Sequence, residues 1–241
     1  PALGASTTGN FDIGSHYDRS GHDDETRSRL LELGDHLTKG PKWHEALGAF
    51  SGSERGEALD LLGFRRQVVF SSFCARLIFE TEPLGVRYEI AGAHNRAMAE
   101  FCDHDDRLLG VAMVPLDDPA RALAEIEAAD ELGLAAVWIA SDAPGGRSPG
   151  HVEHEPIWAT LAERRLPFIL HVGSSPLTVE DPWMNDGRPQ KSTARGGAEV
   201  IGSKDLTVIH QTAQRFVSML LLDGVLKRHP NLRGRVNEPR P

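Results

Sequence analysis

The sequence predicts an α/β fold on a parallel sheet, of the β/α-barrel kind, and three observations predict it. From about residue 54 onward, short apolar runs alternate with longer helical patterns, the signature of repeated βαβ units. Most of those runs are nearly continuous rather than alternating, as expected of strands with helices on one face and packed side chains on the other. The chain has 241 residues, 40% hydrophobic and 6% aromatic, enough to bury one large core.

Residues 1–53 differ in kind. Gly4 to Gly14 is small and polar, and the stretch after it carries His16, His22, His36 and His44 among charged residues. A loop followed by one or two short helices is expected there, as a cap segment. Asp18 to His22 reads as a histidine-bearing acidic loop, yet it meets neither zinc nor calcium-loop spacing. The barrel segment, 54–241, then holds five strands: Gln67–Ser71, Leu108–Val114, Leu134–Ala140, Pro167–Val172 and Leu232–Asn237. Helices are expected from Leu84 to Phe101, from Asp118-Pro119 to Gly133, from Glu155 to Arg164 and from Asp205 to Arg228. In the second of these, Pro119 suits the first turn, and Leu123, Ile126, Ala129 and Leu132 recur at helical spacing. Gly173 to Ser203, rich in Pro and Gly, reads as a long loop after a strand, and in barrels such loops build the active-site mouth. Repeated crossovers of this length give a closed eight-stranded barrel or an open doubly wound sheet. The first strand is not followed by G-x-G-x-x-G, which disfavours dinucleotide binding.

A formal net charge of −9, with 26 Lys and Arg dispersed among 35 acidic residues, shows no basic stripe. Neither nucleic acid nor a membrane surface is therefore an expected partner, and a small-molecule substrate is. No apolar run approaches the roughly 18 residues of a membrane span, and the start lacks the order of a signal peptide. Cys74, at a strand end, and Cys102, at a helix end, are expected to be free thiols of a cytoplasmic protein. Opening on Pro1 and closing on Pro239-Arg240-Pro241, the chain reads as truncated at both ends.

Barrel active sites sit at the C-terminal ends of the strands. Here those ends carry Ser71 and Ser72, Pro115, Ser141 and Asp142, His171, and Asn237 with Glu238. His171, directly after Phe168-Ile169-Leu170, is held at the rim of the core. It either turns a ring nitrogen to a metal or is satisfied by a backbone carbonyl. His151 and His154 stand three apart, close enough to share a helix face or simply to cap a helix. His210 enters the last long helix, as a site residue or as a polar helix start. Without G-x-S-x-G or C-x-x-C, metal-activated water or metal-held substrate is a stronger expectation than a side-chain nucleophile.

The run Asn95-Arg96-Ala97-Met98-Ala99-Glu100-Phe101 through Asp106 to Leu116 and Asp118-Pro119 resembles the amidohydrolase-related family, the group around aminocarboxymuconate-semialdehyde decarboxylase. The likeness continues through Pro156-Ile157-Trp158, Leu166 to Gly173, and Gly224 to Arg233, covering roughly residues 54 to 238. It implies a distorted (β/α)8 TIM-type barrel of which strands two to six are visible. It also implies one divalent metal ion, zinc or manganese, and homodimers. The activity implied is that of a hydrolase or a non-oxidative carboxy-lyase acting on a small carboxylated, aromatic or conjugated substrate. By position, His171 matches the metal-binding histidine after the fifth strand, and Glu238 the catalytic place after the sixth. Asp181 to Arg188, with Trp183 and Arg188, resembles a pocket-lining loop. Ser141, Asp142 and His210 complete the substrate-binding candidates. The pattern also departs from the family: none of the eleven histidines forms His-x-His, and no sequence corresponds to strands seven and eight. Five strands do not close such a barrel, and a single histidine does not hold zinc. A degenerate or truncated barrel with a structural or binding role is therefore the alternative.

Overall fold

The five apolar runs form one sheet, in the order β1 (Gln67–Val69), β2 (Leu108–Met113), β3 (Ala136–Ile139), β4 (Phe168–His171) and β7 (Gly234–Asn237). The computed structural model describes residues 21–42, 45–71, 74–171, 179–188, 192–194, 200–202, 204 and 207–237. The pairings of β2 with β3, β3 with β4 and β4 with β7 are all parallel. Within this sheet the strands are neighbours in chain order, β5 (Ser192–Ala194) and β6 (Val200–Gly202) lying outside it. A doubly wound sheet reverses its order part-way, whereas a singly wound barrel sheet does not. The order therefore settles the choice that composition left open.

The chain forms two compact units, one of Pro1–Val69, Glu100–Leu109 and Lys191–Gly202, the other of Phe70–Ala99, Gly110–Gln190 and Ser203–Pro241. In the first, α1 (Asp24–Leu31) and α2 (Gly52–Leu62) are capped by Asp23 and Ser51, whose side chains accept from Thr26 and Glu54 N–H. Leu30, Leu47 and Ala58 form their small core. Buried Glu54 accepts from the backbone N–H groups of His22 and Gly48 and lies 2.9 Å from His22 Nδ1. His22 is thus tied to α2 by a side-chain and backbone pair.

The second unit holds α3 (Cys74–Glu80), α4 (Leu84–Cys102), α5 (Pro119–Glu131) and α6 (Glu155–Glu163). Strand alternation divides its apolar residues between two faces. Val111, Met113, Ala136, Trp138 and Ile169 share one face and pack with Ala75, Ile78 and Phe79 of α3 and Ala91 of α4. Facing the other way, Phe168 meets Trp158 of α6 with ring centroids 5.6 Å apart. Asp118 caps α5, accepting from the Ala120 and Arg121 N–H groups, with Pro119 in the first turn as expected.

Several expected elements differ. The single helix from Asp205 to Arg228 is two, α8 (Gln211–Leu222) and α9 (Val225–Arg228), because Gly224 adopts a left-handed conformation (φ 75°) that an α-helix does not tolerate. The Gly173–Ser203 segment is not all loop. It contains the short helix α7 (Asp181–Met184) and an antiparallel pair, β5 (Ser192–Ala194) with β6 (Val200–Gly202). Backbone pairing of this kind satisfies groups that loop composition alone would leave to water. Cys74 begins α3 rather than ending a strand, and neither cysteine is in a disulfide. Among the described residues, no helix is long and apolar enough to cross a membrane.

Glu155, first in α6, anchors α9. Its carboxylate accepts from Arg228 Nε (2.7 Å) and Nη2 (2.8 Å) and lies 2.8 Å from His229 Nε2. The Arg228 hydrogen bonds, aided by His229, pull its pKa from 4.5 to about 2. A carboxylate depressed in the folded state stabilises fully above its unfolded pKa, and that contribution fades as pH falls toward the folded value. Glu155→Gln is therefore expected to lower the melting temperature modestly at pH 7, the group being part-exposed. Melts should show the gap to wild type closing between pH 4.5 and about 2.

Candidate active site at the strand ends

His171 is the last residue of β4, in register with Asn237 of β7. Trp138 stands opposite Ile169, so His171, two residues further on, shares its face one layer nearer the strand ends. The imidazole lies 4.8 Å from the Trp138 ring and 4.9 Å from Phe70, centroid to centroid. Trp138 in turn meets Phe70 edge-on at 5.8 Å and Phe79 at 5.8 Å. The strand-end histidine thus sits among aromatic walls. Among the described residues, no three His, Cys, Asp or Glu side chains gather where they would hold a metal ion. Ring carbons are not ligands, and a divalent site needs three or four donors. The described residues by themselves do not fit the metal.

Ser141, buried after β3, donates its hydroxyl proton to Thr212 Oγ1 of α8 at 3.0 Å, which ties that strand end to the helix. Asp142, next to it, keeps an exposed face. Loss of hydration around its carboxyl, then the charge of Asp117, push its pKa up from 3.8 to about 6, against the pull of Arg87. Arg87 itself is committed: its buried guanidinium donates to Asp117 (2.8 Å), Glu82 (2.8 Å) and the Thr81 carbonyl (3.0 Å). A carboxyl raised in the folded state favours folding when protonated and costs stability as pH rises from 3.8 through about 6. Asp142→Asn is expected to melt at a higher temperature than wild type at pH 7 and at the same temperature below about pH 4. A lower melting point at pH 7 would contradict this.

The loop candidates lie together. Trp183, in α7, is 75% exposed, and the Arg188 backbone N–H donates to Asp186 Oδ1 at 3.0 Å. Lys204, which sequence reading passed over, pins the segment by donating to the Trp183 (2.8 Å) and Met184 (3.1 Å) carbonyls beside Asp186. His210 is the exposed cap of α8 and its side chain makes no capping bond. Glu238 and Ser72 lie outside the described residues. Of the histidine pair, His154 is wholly buried and reaches the Ser148 and Leu116 carbonyls, both at 3.2 Å, while His151 accepts from Glu153 N–H. Both serve the entry of α6. The aromatic neighbours Phe70, Phe79 and Trp138 were not singled out from the sequence, because an apolar residue in a strand or on a helix reads as core. The signal for Trp138 was its period-two match to His171 across the sheet.

Residues 52–234 match the amidohydrolase family model, from α2 to the first residue of β7. The chain belongs to the amidohydrolase family. No curated protein matches it. Among solved structures it is similar to an amidohydrolase from Mycobacterium avium subsp. paratuberculosis (19% identity, TM-score 0.55, 83% of this chain and 50% of that one). It is also similar to 2,6-dihydroxybenzoate decarboxylase from Rhizobium (22%, 0.57, 76% and 54%). A third is 5-carboxyvanillate decarboxylase from Novosphingobium aromaticivorans, solved with manganese and a nitrobenzoic acid (21%, 0.58, 88% and 61%). These likenesses concern the fold. The chain spans between half and about three-fifths of the length of those structures.

Proposed function

We propose that this amidohydrolase-family protein is a metal-dependent hydrolase or non-oxidative carboxy-lyase acting on a small carboxylated aromatic or conjugated substrate. The observation that carries the proposal is a histidine at a strand's C-terminal end, with two aromatic rings within 5 Å of it. Flat aromatic walls suit a flat substrate ring. Two of the similar structures, both decarboxylases of hydroxylated aromatic acids, support that substrate class. His171 is proposed as one ligand of a divalent ion, manganese or zinc, and Glu238 as the residue that transfers a proton. Asp142, Trp183, Arg188, Ser141 and His210 are proposed to border the substrate, and the protein to act as a homodimer. Among these, Asp142 has the property a general acid or base requires, a carboxyl that titrates at about pH 6.

The second reading, a barrel that binds without catalysing, is favoured by the engagement of the His171 ring with Phe70 and Trp138. Metal analysis and decarboxylation assays on 2,6-dihydroxybenzoate separate the two. The whole protein is expected to carry stoichiometric manganese or zinc and to release carbon dioxide, and His171→Ala to lose both. Stoichiometric metal in the variant would remove His171 as a ligand.

A further inference from the structure

We propose that the indole N–H of Trp138 is the hydrogen-bond donor that holds an anionic oxygen of the substrate beside His171. Trp138 is 3% exposed, and its Nε1 has no hydrogen-bond partner among the described residues. The contrast within the same unit is Trp158, equally buried, whose Nε1 donates to the Pro149 carbonyl at 2.8 Å. A buried indole N–H ordinarily finds an acceptor, and one without a partner among the described residues is open to an acceptor brought by a ligand. The ring neighbours of Trp138, namely Phe70, Phe79 and His171, give it carbon surface and fix its plane. None of them takes its proton.

This proposal rests on the functional reading above and sharpens its substrate class. An indole N–H donates and cannot accept, so it favours a carboxylate or phenolate oxygen and disfavours an ammonium at the same place. In a dry site lined by aromatic carbon, a bond from such a donor to an anion is stronger than its counterpart in water. Flat walls select the ring, and the single donor selects where its charged oxygen lies. Trp138 would therefore decide between oxyanion-bearing rings and their neutral or cationic analogues.

The test measures binding of 2,6-dihydroxybenzoate to the whole protein by calorimetry, in wild type and in Trp138→Phe, which keeps an aromatic ring and removes the N–H. The variant is expected to bind about tenfold more weakly. In the wild-type protein, the indole N–H resonance of Trp138, assigned through its proximity to the Phe70 and Phe79 rings, should move downfield on adding the probe. That of Trp158, already bonded to Pro149, should stay in place. This second measurement stands even if Trp138→Phe fails to fold. Equal affinities, or an unmoved Trp138 resonance with the probe bound, would overturn the Trp138 assignment and leave the functional reading intact. Failure of wild type to bind the probe would overturn the functional reading and this assignment with it.

Discussion

Trp158→Ala is expected to destabilise the protein by about 3–5 kcal/mol, the range for truncating a fully buried aromatic residue. Trp158 has no exposed surface. Its ring is wedged between Phe168 of β4, at 5.6 Å, and Phe216 of α8, at 6.3 Å, both edge-on. Its N–H also closes the Pro149 carbonyl. Removing the ring opens a cavity between the sheet and two helices and strands a buried acceptor, so the transfer, cavity and hydrogen-bond losses add. Trp158→Phe keeps most of the apolar contact and loses the hydrogen bond, so a smaller loss, about 1–2 kcal/mol, is expected. Urea unfolding of the three proteins checks the order wild type, Phe variant, Ala variant. An alanine variant as stable as wild type would mean that this layer is not part of the core.

The second large effect is expected at Asn95. This residue of α4 is completely buried, and its amide behaves toward β2 as another strand would. Oδ1 accepts from the Met113 N–H at 2.8 Å, and Nδ2 donates to the Met113 carbonyl at 3.1 Å. The same Nδ2 donates to Glu125 at 2.7 Å. Asn95→Leu fills similar space but leaves both backbone groups of Met113 buried without partners, at an expected cost of about 2–4 kcal/mol. Because the loss is local to the end of β2, hydrogen exchange of the Met113 amide should rise more than that of Trp138. Uniform acceleration across the sheet would show that Asn95 acts through global stability instead.

The Asn95 case shows why part of the molecule was legible and part was not. Asn95 stands in a run whose resemblance to the family was visible, yet nothing in its spacing says that it reaches Met113, 18 positions away. Long-range pairing depends on how a helix is laid against a strand, which the local pattern does not encode. The strands were legible because burial on both faces forces uninterrupted apolar runs, and Val137-Trp138-Ile139 and Phe168-Ile169-Leu170 are such runs. The α5 boundaries were legible because Asp118 and Pro119 act within one turn of themselves. The break at Gly224 was not, since a lone glycine in a helical pattern is often tolerated.

The sequence by itself determined the parallel α/β architecture, the place of His171 at a strand end and the family, all of which follow from periodicity and from motifs local in the chain. Tertiary structure alone decided what surrounds that histidine. Phe70 and Trp138, from β1's exit and β3, are brought to its ring by sheet register, and Phe79 of α3 packs behind Trp138. It also decided which polar groups are already spent, as in Ser141 on Thr212 and Arg87 on Asp117 and Glu82, and that the Trp138 indole N–H has no partner among the described residues. The physical reason is that hydrogen bonds and ring contacts are set by distances of a few ångströms between segments far apart in sequence, whereas apolar periodicity is fixed by the backbone's own repeat.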